Sequence, residues 1–189
     1  HGTTHFTVID RAGNIVSYTG SIESAFGSRQ MVHGILLNNQ LTDFSFRPLD
    51  EAGEPIANRV EPGKRPRSSM APTIVFDHLY RPVWALGSPG GSRIIGYVAR
   101  AIIHMADAGL RPAAAVAQPH IANRNRVTEV ERGDKHDPFA TGLAVKGHEV
   151  VRPQMVSGLH AIMITKDQAG ETLLIGGADP RREGHVVGD

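Results

Sequence analysis

The chain has 189 residues, a formal net charge of +1 from 20 Lys and Arg against 19 Asp and Glu, 21 glycines, 12 prolines and no cysteine. That length suits one domain or one large subunit fragment and can bury a core of its own, and the missing cysteines exclude a disulfide framework and a thiolate metal site. The mixed charge lacks the basic stripe of a nucleic-acid surface, and the sequence shows neither an apolar run long enough to span a membrane nor a signal peptide.

In chain order, "THFTVID" alternates in hydrophobicity, "RAGN" is a turn and "NIVSYTGS" alternates again, so residues 4–21 are expected to form a β-hairpin. "GILLNNQ" reads as a short strand with a polar end. Residues 44–68 are charged and proline-rich, which predicts a long loop. "APTIVFD" and "PVWALGS" predict a second strand pair. The strongest helix is "SRIIGYVARAIIHMADAGL", where Ile94, Ile95, Val98, Ala101, Ile102 and Met105 recur at helical spacing. Ser92 is expected to cap its start, and Gly109 with Pro112 ends it. "RPAAAVAQP" predicts a shorter helix, followed by "TEVE", a weak helix near 138–146, and strands in "HEVVRP", "LHAIMITK" and "ETLLIGG". Strands in runs with grouped helices indicate an α+β layered sheet rather than strict βαβ alternation.

Four stretches carry candidate chemistry. "TTH" at 3–5 places hydroxyls at the very start of a strand. "NNQLTDF" at 38–44 sets amides and a carboxylate at a strand end, suited either to an ammonium group or simply to a turn. "RPRSSMAP" at 65–72 offers two hydroxyls beside cations, suited to a carboxylate or to a solvated loop. "GSPGGSR" at 87–93 ends a strand and opens the best helix, so its backbone N–H groups can face an oxyanion. It can equally be a tight strand-to-helix turn, since it has neither a P-loop lysine nor the GxGxxG spacing. The ten histidines show no HExxH spacing, and there is no GxSxG elbow. His104, inside the long helix, is expected to be a surface or hydrogen-bonded histidine.

Taken in order, "TTHF", "VID", "FGS", "GILLNNQ", "DFS", "KRPRSSMAPTIV", "GSPGGSRII" and "GGADPRREG" resemble the small subunit of the γ-glutamyltranspeptidases over nearly the whole chain. The resemblance implies an N-terminal nucleophile (Ntn) hydrolase fold, a four-layer αββα sandwich, with residues 1–189 forming a single domain, the small catalytic subunit of a longer precursor. It implies that the precursor cuts itself and that Thr3, once exposed, is the nucleophile, with Thr4 on the opposite face as a structural residue. A hydroxyl needs a base within reach, and an α-amine of ordinary pKa near 8 can serve on the same residue.

By the same resemblance Ser21 supports the nucleophile, and Gly90 and Gly91 supply the oxyanion hole. Ser68 and Ser69 hold the donor's α-carboxylate, while Gln40, Asp43 and Glu23 hold its α-ammonium. Residues 46–65 correspond to a lid over the site. Arg65 and Arg67 are local cations, and Arg93 is expected to be structural. The implied reaction takes a γ-glutamyl group from glutathione or another γ-glutamyl amide and passes it to water, an amino acid or a peptide. No cofactor or metal is implied. The implied partner is the large subunit of the same precursor, forming a heterodimer, and the implied location is periplasmic or secreted. Without that partner the chain is expected to expose apolar surface and self-associate. Because His1 and Gly2 precede Thr3, the chain as written is expected to be silent until the Gly2–Thr3 bond breaks. Two other readings stand beside this one: an acylase of the same fold that cleaves a glutaryl amide, and a non-catalytic binding domain.

Overall fold

A computed structural model describes residues 2–133 and 137–188. In chain order these form β1 (Thr3–Ile9), β2 (Ile15–Ser21), the two-residue strands β3 (Met31–Val32) and β4 (Ile35–Leu36), a 3-10 turn (Gln40–Asp43), β5 (Thr73–Phe76) and β6 (Pro82–Gly87). A second 3-10 turn (Gly91–Arg93), α1 (Ile94–Ala106), α2 (Pro112–Val116), β7 (Ile121–Asn123), β8 (Thr128–Val130), α3 (Asp137–Val145), β9 (Val150–Val151), β10 (His160–Lys166) and β11 (Thr172–Ala178) complete the order.

The β-branched and aromatic run of β1 pairs antiparallel with β2 from Thr3↔Ser21 to Ile9↔Ile15. Asp10 closes the hairpin by accepting the Asn14 N–H at 2.9 Å, and Gly13 takes the left-handed φ of +83° that the turn demands. A second, antiparallel sheet has the order β11-β10-β6-β5. Its two faces are unlike. Leu86 and Ala161 face α1 and α2 and join Ile94, Tyr97, Val98, Met105, Val116 and Leu159 in the core. On the other face Gly87 lies against the His5 ring, and His5 stacks on His160 with centroids 6.3 Å apart. The hairpin therefore packs face to face on the four-stranded sheet, and Ser17 Oγ donates to the Leu86 carbonyl across the gap at 3.0 Å. Hairpin, sheet and helices give three successive layers, β, β and α, of a layered α+β sandwich.

The hairpin's amphipathicity runs opposite to that of an ordinary surface hairpin. Its inner face carries Thr3, His5, Thr7, Ser17, Thr19 and Ser21, and His5 hydrogen-bonds Thr19 at 2.8 Å and Thr7 at 3.0 Å. Its outer face is apolar and exposed: Phe6, Val8, Val16 and Tyr18 are each about half accessible, with the Phe6 and Tyr18 rings 5.2 Å apart.

Several sequence expectations shift. The hairpin starts one residue earlier, at Thr3. "GILLNNQ" is mostly not strand: only Ile35–Leu36 pair, with Met31–Val32, and the asparagines lie in the turn beyond. Ser92 does not cap α1. It lies in the preceding 3-10 turn, and its hydroxyl is taken by Arg124 at 2.7 Å. Residues 44–68 do form a long loop, cross-linked by isolated bridges Ser45↔Arg59 and Leu49↔Pro55. The weak helix near 138–146 is present as α3.

Glycine governs how closely α2 meets the sheet. A Cβ on Gly177 falls 2.4 Å from the Ala113 backbone nitrogen, and backbone cannot yield as a side-chain tip can. Gly177→Ala should therefore push α2 off β11 and destabilise the intact protein by roughly 1–3 kcal/mol. Urea unfolding checks this, and an unchanged midpoint contradicts it.

Candidate functional site

The register of β1 on β2 sets Thr3 and Ser21 side by side on the inner face, with Thr3 Oγ1 and Ser21 Oγ 2.8 Å apart. Pairing continues one step beyond the strands: Ile22 N–H donates to the Gly2 carbonyl at 3.1 Å, and Gly2 N–H to the Glu23 carbonyl at 3.2 Å. The Gly2–Thr3 peptide is thereby held beside Ser21. Glu23 sits at a left-handed φ of +69°, uncommon for a side chain of its size. That conformation accompanies an N–H bond from Glu23 to Ser21 Oγ at 2.8 Å. Ser21 thus accepts from the backbone on one side and meets the Thr3 hydroxyl on the other.

Asn39 ties this strand end to the next stretch. Its side chain accepts the Ser24 N–H at 2.9 Å and donates to Ser24 Oγ at 3.1 Å. The 3-10 turn that follows brings Gln40 and Asp43 together, the Gln40 amide donating to the Asp43 carboxylate. Asn58 then joins Asp43 to the serine pair's segment. Its Nδ2 donates to the Asp43 carbonyl at 2.7 Å, and its Oδ1 accepts the Arg67 N–H at 3.0 Å. Ser68 Oγ accepts the Met70 N–H at 3.2 Å. Sequence reasoning missed Asn39 and Asn58 as fasteners, because one asparagine in a polar loop carries no periodic signal.

Gly90 and Gly91 follow β6. Gly90 has φ +143° and Gly91 φ +61°, and a Cβ on Gly90 would meet the Tyr97 ring at 2.6 Å. Both lie in the left-handed half of φ that favours glycine, and they open the 3-10 turn leading into α1, a position suited to presenting backbone N–H groups to an anion. Ser17, opposite Thr7, lies over Leu86, and His5 lies over Gly87. Thr3 and Ser21 are the next pair on that face beyond His5 and Thr19. Thr3 is bonded to Ser21 and Ser21 to Glu23, while among the described residues no hydrogen bond joins Gln40, Asp43, Ser68, Ser69, Gly90 or Gly91 directly to Thr3. A cavity of about 150 Å³ lies elsewhere, lined by His5, Thr7, His160 and His185, and Thr3 is not in its wall.

Arg93 is structural as expected: its guanidinium grips Glu129 through two bonds of 2.7 and 2.6 Å, and Arg124 shares the same carboxylate at 2.9 Å. Those bonds from Arg93 hold the Glu129 carboxyl below its usual range. His104 receives an Arg100 contact at 3.3 Å. Among the described residues no group of three His, Asp or Glu side chains is placed to hold a metal ion.

A γ-glutamyltranspeptidase family model matches residues 1–189. The chain belongs to the γ-glutamyltranspeptidase family. The glutathione hydrolase proenzyme of Bacillus subtilis strain 168 is 40% identical over 190 residues, covering 98% of this chain and 30% of that protein. The chain thus spans about a third of the length of the curated relatives it matches. The solved γ-glutamyltranspeptidase T380A mutant of Helicobacter pylori superposes with a TM-score of 0.83 at 33% identity, covering 95% of this chain and 100% of that one. A cephalosporin acylase from Bacillus halodurans superposes with a TM-score of 0.81 at 26% identity, covering 97% of this chain and 33% of that one. The fold is therefore that of the Ntn hydrolases.

Burial lowers the pKa of His5 to about 4, helped by the neighbouring His160, and burial lowers that of His120 to about 4 as well, helped by Arg181. Both imidazoles are neutral in the folded protein, whereas an unfolded histidine titrates near 6.5. Between those values the unfolded state binds more protons, so stability is fully present above about pH 6.5 and falls as pH drops toward 4. Denaturant midpoints of the intact protein should decrease through this window, by the equivalent of a few kcal/mol in all. A midpoint that stays level from pH 7 to 4.5 contradicts the assignment.

Proposed function

We propose that this chain is the catalytic small subunit of an enzyme that transfers or hydrolyses γ-glutamyl groups, with glutathione and related γ-glutamyl amides as donors. The observation that carries the reading is the Thr3–Ser21 hydroxyl pair at 2.8 Å, at a strand end that Asn39 ties, through Ile22 and Ser24, to the turn holding Gln40 and Asp43. Family membership and similarity to glutathione hydrolase proenzymes support it.

Maturation breaks the Gly2–Thr3 bond. Thr3 Oγ1 attacks the Gly2 carbonyl carbon, the acyl group moves from nitrogen to oxygen, and water releases it. The carbonyl oxygen is already polarised by the Ile22 N–H. The freed α-amine of Thr3 is then the base for the main reaction. Thr3 Oγ1 attacks the donor's γ-carbonyl carbon and its proton passes to the amine. The tetrahedral oxyanion rests on the Gly90 and Gly91 amides, each such donor contributing about 3–4 kcal/mol. Collapse expels the leaving amine, which takes the proton from the Thr3 ammonium, and leaves a γ-glutamyl ester. Water or the amine of an amino acid or peptide then attacks that ester and restores Thr3. Asp43, Gln40 and Glu23 receive the donor's α-ammonium, and Ser68 and Ser69 its α-carboxylate. Residues 46–65 act as a lid. No step above draws on a cofactor or metal.

The remainder of a longer precursor is the proposed partner, in a heterodimer. The exposed apolar row of Phe6, Val8, Val16 and Tyr18 supports this, since covering it adds the outer layer to a β, β, α stack. The periplasm or the exterior of the cell is the proposed location, on family resemblance.

The acylase alternative rests on the cephalosporin acylase likeness. Asp43 speaks against it, because a glutaryl group has no ammonium to meet that carboxylate. In the full-length polypeptide, Thr3→Ala should lower kcat on a γ-glutamyl anilide by about 10⁴-fold or more. Asp43→Asn should lower kcat/KM on the γ-glutamyl anilide by about 10–100-fold, while leaving any residual rate on the glutaryl anilide unchanged. Equal loss on both substrates refutes the ammonium role. Full activity of Thr3→Ala refutes the nucleophile, whereas assembly that survives Thr3→Ala together with a wild type that turns over neither anilide favours a binding domain.

A further inference from the structure

Behind the Gly90–Gly91 turn lies a column of buried polar groups to which the reaction above gives no role. Asp179 is 1% exposed and accepts the Ser157 hydroxyl and the Leu159 N–H, the latter at 3.1 Å. Ser157 is fully buried and meets His120 Nε2 at 2.6 Å. With the Ser157 proton given to Asp179, His120 Nε2–H is the donor in that contact, which fixes the neutral tautomer. The His120 ring lies 4.1 Å from the Tyr97 ring, centroid to centroid. Tyr97 in turn is the floor under Gly90, where a Cβ would approach Cε2 to 2.6 Å.

A second fastening reaches the same turn from the side. Ser88, fully buried, donates its hydroxyl to the Pro89 carbonyl at 2.6 Å and accepts the Gly158 N–H at 3.2 Å. Gly158 also lets Pro89 and Arg182 close in, since a Cβ there would lie 2.7 Å from the Pro89 ring. Arg182 Nε secures the Ser157 carbonyl at 3.0 Å. Both fastenings start from the 157–159 segment, and both end on residues 89–90.

This arrangement resembles a serine, histidine and aspartate set, but not a nucleophilic one. Serine sits between histidine and aspartate, all three are shut away from solvent, and the His120 backbone and ring are held by Glu131 and Tyr97. We propose that the Asp179–Ser157–His120–Tyr97 column and the Ser88 clasp are positioning elements that hold the Gly90–Gly91 amides in the orientation that binds developing negative charge. Held this way, the amides need no reorganisation when the oxyanion forms, and loosening them costs transition-state binding while sparing ground-state binding. The inference rests on the γ-glutamyl reading for the identity of that anion.

The test is steady-state kinetics of the full-length protein on a γ-glutamyl anilide, with rates normalised to the folded, processed fraction. Tyr97→Phe keeps the floor and should stay within about twofold of wild type. Tyr97→Leu and Ser157→Ala should each lower kcat by about 10–100-fold, with KM changed less than about twofold. Ser88→Ala should do the same more weakly, and serves if a core variant fails to fold. The proposal is overturned if the loss appears in KM, if Tyr97→Phe falls as far as Tyr97→Leu, or if normalised rates equal those of wild type. A wild-type protein that turns over no γ-glutamyl donor refutes the functional reading instead, which separates the two failures.

Discussion

The register of one hairpin is the constraint on which the rest depends. In an antiparallel pair, a slip of one residue sends every side chain to the opposite face. The pairing Thr3↔Ser21 puts the two hydroxyls together, and it also places His5 between Thr7 and Thr19 and lays its ring on Gly87. A slipped hairpin would bury Phe6 and Tyr18 against the sheet and turn Thr3 outward. The glycine at position 87 and the neutral imidazole of His5 interlock, so the register is fixed by packing as well as by hydrogen bonds. The site's chemistry lies at the last rung of this ladder.

The inner face of that hairpin is polar from the Thr3–Ser21 pair to the Thr7–Ser17 pair. Its hydroxyls are hydrogen-bonded to one another, to the His5 ring or to backbone, as buried polar groups must be. The apolar face is consequently turned outward, where the described residues leave it about half exposed. The same logic that builds the Thr3–Ser21 pair therefore leaves Phe6, Val8, Val16 and Tyr18 in need of an outer layer. On the proposed reading, site and partner surface are two sides of one ribbon.

Much of the fold was legible in the sequence where periodicity is strong. Alternation in 4–21 and helical spacing in 94–105 correspond to β1, β2 and α1. The long loop at 44–68 followed from proline and charge. What periodicity cannot carry was misread: the strand expected in "GILLNNQ" shrinks to Ile35–Leu36, and Ser92 is diverted from capping by Arg124, which lies 32 residues away. The candidate residues were identified from family motifs, since spacing alone left each as a turn or loop. Asp179 stands in the motif "GGADPRREG", but its link to Ser157 and His120 was not legible, because these residues are joined only by tertiary contact across 20 residues or more.

The central claim is that the Thr3 hydroxyl carries the γ-glutamyl group. Mass spectrometry of the full-length protein, quenched in acid during turnover of a γ-glutamyl donor, tests it most directly. One γ-glutamyl group esterified to the peptide that begins at Thr3, and lost on treatment with hydroxylamine, is the expected result. An acyl group on any other residue, or turnover by a protein whose Gly2–Thr3 bond is still intact, contradicts it.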